Sequence, residues 1–439
     1  MPEGHPMKYL IGIACVVLLP LCAMAEESKI PWLTDFAEAQ RQAEASGKLI
    51  FADIFATWCP PCKMLEQYTF SDDATAKRLE AYIPVKLDAD KESELVMRYS
   101  DGSLPTLVVI EPNGAIVDYE EGFKTVEQLD QWLTMADTKL ARMRSLAGEV
   151  GTSPQDAEKA LQLAELYRSA RRYTAAAEVL AALSPDTLGA LPAETQGDVL
   201  WNLALARFGA EDFEGGVAAI EKLVLDHADY SRADTAAQLL VEGRYLASMH
   251  AMEQGEYDKA KAGFAKITEL VDTYPDLAGM ATRQLQVIAL IGQPAPEIDA
   301  SAWVHGDALN LADLRGQVVM IEFFQVVCPA CESMRPSIER LLGSYGDQGL
   351  RVFGVATSIE TQAPQDPQTV EEYTQIMDFQ YPVAVDNGSA STFGKYAAQG
   401  APWVVLIARD GTVAYSGYFR EGPVEAQLKA LLGTGAKSS

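Results

Sequence analysis

Basic residues, histidine, cysteine and long apolar runs are all scarce in this chain. Lys and Arg together number 35 against 62 Asp and Glu, a formal net charge of −27. A surface that acidic repels phosphate backbones and argues against nucleic acid as a partner. Beyond the N-terminal segment the histidines are His227, His250 and His305, too scattered for a metal cluster or a catalytic triad. No Gly-rich, phosphate-cradling motif occurs. Past residue 25 no apolar stretch reaches the roughly 20 residues that span a bilayer. Six cysteines in 439 residues are too few to staple a fold of this size. The remaining composition, 48% apolar and 22% charged, is ordinary for a globular chain and excludes collagen-like, low-complexity and wholly disordered classes. At about 150 residues per domain, the length implies roughly three domains.

Residues 1–25 read as an export signal. Lys8 precedes an apolar run from Tyr9 to Leu19, and Ala23-Met24-Ala25 then supplies small residues for cleavage ahead of Glu26-Glu27. Met7 fits as the start because it places the lysine second. The apolar run is too short for a spanning anchor, and bulky Leu21 disfavours lipid attachment at Cys22. A soluble, periplasmic mature protein is expected. Cys15 and Cys22 fall within this signal. The four cysteines left are Cys59, Cys62, Cys328 and Cys331, two C-x-x-C pairs with nothing over, so each pair needs its own chemistry.

The first pair follows Leu49-Ile50-Phe51-Ala52-Asp53-Ile54-Phe55, a run of strand length that reads as buried. Ala56-Thr57-Trp58-Cys59-Pro60-Pro61-Cys62-Lys63 then opens a helical pattern. A cysteine at a helix N-terminus meets free N–H groups and the positive end of the helix dipole, which favour its thiolate and make Cys59 the nucleophile. Cys62, one turn on, can close a Cys59–Cys62 disulfide and resolve a mixed one. Asp53 lies six residues before Cys59 inside apolar sequence, so burial should raise its pKa and suit it to carry the pair's proton. Glu66, a turn beyond Cys62, adds a second negative charge. Both acids are expected to oppose a resting thiolate. Leu104-Pro105-Thr106 stands at the mouth of another apolar run, Leu107 to Ile110. A zinc knuckle is disfavoured because no histidine or third cysteine lies nearby.

On these residues, 26–140 resembles a thioredoxin domain, and within that superfamily the C-terminal periplasmic domain of the DsbD thiol:disulfide interchange family. The shared stretch runs from Asp53 through Trp-Cys-x-x-Cys-Lys to Glu66-Gln67-Tyr68-Thr69-Phe70. The resemblance implies that Asp53 and Glu66 form the family's acid pair. It also implies that Pro105, with Trp58 and Thr106, shapes a substrate-facing loop against the disulfide. The Pro60-Pro61 dipeptide differs from that family's.

The frame recurs at the second pair. Gly316 to Phe324 reads as a buried strand leading into Cys328-Pro329-Ala330-Cys331, and Glu322 again stands six residues before the first cysteine. Pro336 falls five residues after Cys331, and Ala401-Pro402-Trp403 heads the apolar run Val404 to Ile407. With Gly292-Gln293-Pro294-Ala295-Pro296 and Leu311-Ala312-Asp313-Leu314-Arg315-Gly316, these residues resemble the TlpA/ResA group of exported thioredoxin-like reductases. That resemblance implies a redox-active Cys328–Cys331 disulfide with Cys328 attacking, Cys331 resolving and Glu322 managing protons. Pro402 and Trp403 would face substrate. Val327 departs from the group by replacing its tryptophan, and the Pro-x-x-x-Thr-x-x-Cys signature of peroxiredoxins is absent.

Between the two, residues 141–288 turn alanine-rich and helical. Small residues recur at Ala176, Gly216 and Ala260, 40 and then 44 residues apart, resembling degenerate tetratricopeptide repeats. The expected architecture is thus a signal (1–25), a thioredoxin-like domain (26–140), a helical tetratricopeptide-like spacer (141–288) and a TlpA-like domain (289–439). A generic helical bundle stays open for the spacer. The expected activity is a thiol:disulfide oxidoreductase acting on cysteine-containing exported proteins, with no cofactor or metal beyond the dithiols themselves. A DsbD-like membrane donor is implied by resemblance only. Electrons could pass between the two pairs. The alternatives are a repeat-based scaffold with regulatory redox sites, or a disulfide isomerase.

Overall fold

The apolar runs that precede the cysteine pairs become the central strands of two mixed sheets. The structure, a computed structural model, describes residues 29–326, 328–358, 365–388 and 392–433. The expected signal segment and Val327 lie outside them. The chain divides into two compact units, Met1–Ala175 and Ala176–Ser439.

In the first unit, helix α1 (Phe36–Ser46) is capped by Asp35 and stopped by Gly47, whose φ of +71° a side chain would strain. Strand β1 (Leu49–Phe55) follows, then α2 (Pro60–Met64), a π-helical turn over Leu65–Phe70, and α3 (Asp73–Leu79). Strand β2 (Tyr82–Asp88), α4 (Ser93–Tyr99), β3 (Thr106–Ile110), β4 (Ile116–Glu121) and the long α5 (Val126–Thr152) complete the sheet and its cover. The strand order is β2-β1-β3-β4, with β1 parallel to β2 and antiparallel to β3. Alternation along β1 divides the core. Phe51 joins Leu65, Phe70, Leu107 and Trp132 on one face, while Ile50, Ala52 and Ile54 join Val85 and Val108 on the other. Helix α5 starts with a reciprocal Thr125–Gln128 cap and runs unbroken through residue 140. Beyond it, α6 (Ala157–Ser169) and Arg172 stay with this unit. The Arg172 guanidinium meets Glu111 at 2.6 Å, and Arg144 reaches the same carboxylate at 2.9 Å.

The chain then continues as helices α7 (Tyr173–Ala181), α8 (Pro185–Ala190), α9 (Ala193–Gly209), α10 (Phe213–Asp226), α11 (Ala233–Glu253), α12 (Tyr257–Thr268) and α13 (Pro275–Leu290). Three hairpin turns share one geometry. Arg171, Glu211 and Gly255 have φ of 54°, 61° and 76°. The next residue in each turn donates its N–H five residues back, from Arg172 to Tyr167, Asp212 to Arg207 and Glu256 to Ala251, at 2.8–2.9 Å. These turns are spaced 40 and 44 residues apart, the same drift as the small residues Ala176, Gly216 and Ala260, all of which are buried. Phe208 at the end of α9 sits against Gly216 of α10 and Gly243 of α11, where an added Cβ would come within 2.5 Å of its ring.

The second sheet comprises β5 (Ala300–His305), β6 (Val318–Phe324), β7 (Leu350–Ala356), β8 (Val383–Asp386), β9 (Trp403–Ile407) and β10 (Val413–Tyr418), in the order β10-β9-β6-β7-β8-β5. Its helices are α14 (Pro329–Tyr345), α15 (Pro367–Ile376), α16 (Thr392–Lys395) and α17 (Glu421–Gly433). The four strands β7-β6-β9-β10 repeat the order and directions of the first sheet, and β8 and β5 extend it beyond β7. In chain order, two α/β regions of the expected kind therefore stand on either side of a helical stretch. No helix among the described residues is long and apolar enough to cross a membrane.

The close approach at Phe208 gives a stability test. Gly216→Val should overpack the helices and cost about 1–3 kcal/mol in urea unfolding. Gly279→Ala, in an open position of α13, should be neutral or stabilising by up to about 1 kcal/mol.

Candidate active sites

Cys59 is the N-cap of α2, and its Sγ accepts the backbone N–H of Cys62 at 3.3 Å. The two cysteines form a disulfide with Cα atoms 5.4 Å apart. Both sulfurs are buried, with Cys59 only 3% exposed, and they pack with Ala56, Phe55 and Leu104. Leu104 leads into a cis peptide bond at Pro105, so the loop that bears this proline lies against the pair. Trp58 stands 64% exposed beside them, its indole N–H donating to Asp90 at 3.0 Å. Thr106 is placed differently. It points to the sheet face away from α2, is fully buried, and its hydroxyl donates to the Ser103 carbonyl at 2.6 Å.

Asp53 shares its face of β1 with Phe51 and Phe55, the face covered by α2 and the π-helical turn. It is 3% exposed, and its Oδ1 has no hydrogen-bond partner. Burial pushes its pKa up to about 7; Lys86 opposes the rise and Glu66 adds to it. Lys86 stands directly opposite Asp53 in the β1–β2 register, with Nζ 3.8 Å from Oδ2, and ion-pairs with Glu66 on the π-helical turn. Its ammonium also lies 5.0 Å from the Trp32 ring centroid and 5.4 Å from that of Phe55. A cation therefore bridges the two acids, and their charge is not simply added beside the sulfurs as the sequence alone suggested. Lys86 went unnoticed in the sequence, where its one signal is a lysine inside the apolar strand Tyr82-Ile83-Pro84-Val85-Lys86-Leu87.

The second site repeats this plan. Cys328 caps α14, its Sγ accepts the Cys331 N–H at 3.2 Å, and the two form a disulfide with Cα atoms 5.2 Å apart. Pro336 lies inside α14, and the Ala401–Pro402 bond is cis. Glu322 shares its face of β6 with Met320 and Phe324, the face on which Cys331 and Met334 of α14 pack. It is 1% exposed, and burial raises its pKa to about 7 against the opposing influence of the Tyr381 hydroxyl, which donates to Oε2. Trp403 turns to the opposite face. It is 1% exposed, its indole N–H donates to Ser416 Oγ at 2.9 Å, and Tyr418 meets its ring edge-on. Like Thr106, it anchors the proline loop from below. Alternation from the proline onward sets that orientation in both strands.

Among the described residues no cluster of three or more His, Cys, Asp or Glu could hold a metal ion. The chemistry available is that of two dithiol–disulfide pairs, each at a helix N-terminus with a carboxyl group beneath the helix. Such a pair carries two electrons itself and requires no organic cofactor.

Residues 36–136 match a family described as thioredoxin-like domain, and residues 291–416 match the AhpC/TSA family. The chain is 36% identical over 90 residues to thioredoxin of Bacillus subtilis, covering 20% of this chain and 83% of that one. It is 27% identical over 130 residues to the thiol-disulfide oxidoreductase ResA of Halalkalibacterium halodurans, covering 29% of this chain and 70% of the relative. It is 32% identical over 104 residues to the thiol:disulfide interchange protein DsbD of Actinobacillus pleuropneumoniae, spanning 18% of that protein's length and 22% of this chain.

A raised acid makes stability depend on pH with a definite sign. The folded protein keeps the Asp53 proton up to about pH 7, whereas the unfolded chain releases it near 3.8. Stability is therefore full below pH 4, declines between pH 4 and 7, and levels off above. Asp53→Asn removes this decline. Its unfolding free energy should exceed that of the parent by up to about 4 kcal/mol at pH 8 and match it at pH 4, as read by denaturant titration at both pH values.

Proposed function

The chain belongs to the thioredoxin superfamily, and from that membership we propose that it is an exported protein-disulfide reductase or interchange enzyme working through both of its dithiol sites. The observation that carries this reading is the same device built twice, a helix-capping C-x-x-C disulfide over a buried acid whose pKa lies near 7. In the reductive direction the Cys59 or Cys328 thiolate attacks one sulfur of a client disulfide, and the client's other sulfur leaves as a thiolate. Cys62 or Cys331 gives its proton to Asp53 or Glu322 and attacks the mixed disulfide. The client departs with two reduced sulfurs, which become thiols by taking the proton held by the acid and one from water, and the enzyme's pair is oxidised to a disulfide. A carboxyl that titrates near 7 serves this step because it accepts and returns the proton at the working pH. An external dithiol donor must restore the pair, and resemblance to DsbD makes a membrane protein of that kind the proposed source.

Reduction is favoured over primary oxidation because an ionised acid beneath the sulfurs opposes a persistent thiolate, and so does not stabilise the reduced form that a strong oxidant keeps. The AhpC/TSA match invites a peroxidase reading for the second site. Against it, Gln325-Val326-Val327-Cys328-Pro329-Ala330-Cys331 lacks the peroxiredoxin threonine and carries a second cysteine in its place. The repeated hairpin turns support a tetratricopeptide-like role for the helices, as a spacer or as a groove for a client. Residues 1–25 support export, which places the clients among exported cysteine-containing proteins. Two complete pairs in one chain support a relay in which the first dithiol reduces the second disulfide.

The mature chain should accelerate insulin reduction by dithiothreitol, and changing all four cysteines to Ser should return the rate to that of dithiothreitol alone. A scaffold with vestigial sites would show no acceleration from the start. Cys62→Ala should trap a disulfide between Cys59 and Cys328, identified by peptide mapping without reductant. Links to other proteins alone would remove the relay.

A further inference from the structure

We propose that Tyr381 is the positioning residue of the second site, its hydroxyl holding the Glu322 carboxyl that receives the Cys331 proton. The assignment rests on the oxidoreductase reading above and deepens it. The phenol O–H of Tyr381 donates to Glu322 Oε2, and both residues are buried, Tyr381 at 2% exposure. Its ring is fixed by Phe379 at 5.3 Å, which in turn packs on Phe324 of β6 and on Tyr373 of α15. A buried tyrosine so framed has little freedom to swing away from its partner.

The strand register explains why the partner comes from this position. In the first unit β2 sets Lys86 directly opposite Asp53. In the second unit the equivalent neighbour of Glu322 on β7 is Gly354, and Gly354 in turn pairs with Val383 of β8. Leu350, Val352 and Ala356 place Gly354 on the same sheet face as Glu322, and Tyr381 belongs to the core of that face as well. A Cβ at Gly354 would stand 3.0 Å from the Phe324 ring and 3.3 Å from Val383. With no side chain at Gly354, Tyr381, two residues before β8, bonds across β7 to Glu322 on β6. Among the described residues the first sheet has no strand beyond β2, where only the bridge from Leu33 to Val85 adds to it.

Other charged and titratable groups surround the carboxyl without bonding to it. From α14, Arg335 and Glu339 act on it electrostatically while pairing with each other at 3.3 Å. Arg335 is further engaged by the Met377 carbonyl and the Phe379 ring. Tyr373 of α15 interacts with Glu322 through its charge and has its hydroxyl 3.5 Å from Glu332. Beside Glu322, β9 sets Val404, which does not titrate. Tyr381 thus supplies the side-chain hydrogen bond given to this carboxyl among the described residues. That bond favours the charged form, ready to take the proton of the Cys331 thiol, whose sulfur then attacks Cys328 Sγ and releases the reduced client.

The test uses the full mature chain with Cys59 and Cys62 changed to Ser, so that the second pair alone is read. Resolution of a preformed Cys328–peptide mixed disulfide is followed from pH 5 to 9. Tyr381→Phe keeps the ring and should move the midpoint of the profile up by about one pH unit. The reaction should then be roughly tenfold slower near pH 6 and nearly unchanged at pH 9. In a Glu322→Gln background the same change should shift nothing, because the group it acts through is gone. A uniform slowing with an unmoved midpoint, or a shift that persists without Glu322, would overturn the assignment. If the mixed disulfide fails to resolve even with Tyr381 in place, the proposed function of the second pair falls too.

Discussion

The constraint on which both units depend is a carboxyl group denied water beneath the helix that carries the sulfurs. Desolvation is the largest influence on Asp53 and on Glu322, and it exceeds the opposing effects of nearby partners. Each sits within a central strand buried along its whole length or nearly so, where an ionised group without full compensation is costly. A purely structural core would place an aliphatic residue there and gain stability. Each unit keeps an acid there all the same, on the sheet face where its sulfur pair lies, as the proposed proton exchange requires. The fold is arranged around that demand, with central strand, sharp turn, capping cysteine and covering helix following one another within a short stretch of chain.

The two units meet the demand with different neighbours because their sheets end differently. In the first, β2 is the outermost strand, and Lys86 stands on it with its ammonium over the rings of Trp32, Phe55 and Phe70. That location also lets it reach half-exposed Glu66. In the second, β7 is covered on its far side by β8 and β5, and a lysine at the equivalent position would be sealed inside the protein. Glycine replaces it, and a neutral phenol from beyond the strand does the bonding. The segment that leads into the added strand β8 supplies the group that offsets the burial of Glu322.

Much of this was legible in the sequence because it is local. The six-residue offset from acid to cysteine, the helix-capping cysteines and the proline loops all follow from strand length and one sharp turn. Strand alternation even sets the face on which Asp53 lies. What stayed hidden depends on pairing between distant segments. Lys86 meets Asp53 through register across 33 residues, and Tyr381 meets Glu322 across 59. Thr106 and Trp403 read as facing substrate because they adjoin the prolines, yet alternation turns both to the opposite face, where they are buried. The change from sheet to helix was visible near residue 140, whereas α5 continues through it since Leu140, Met143 and Leu146 keep one apolar side of the helix buried.

The agreement between the two sites carries more weight than either alone. Aspartate and glutamate start from different intrinsic strengths, 3.8 and 4.5, and here they meet different partners, an ammonium 3.8 Å away and a bonded phenol. A cation stabilises a carboxylate through charge, a phenol through a single donated proton, and neither would match the other by default. Both acids nevertheless arrive at about 7. Complete burial is the largest influence on both, so the fold that covers each strand is what brings them there. A carboxyl raised to about 7 holds either form near neutral pH, which suits the proton exchange proposed for both pairs.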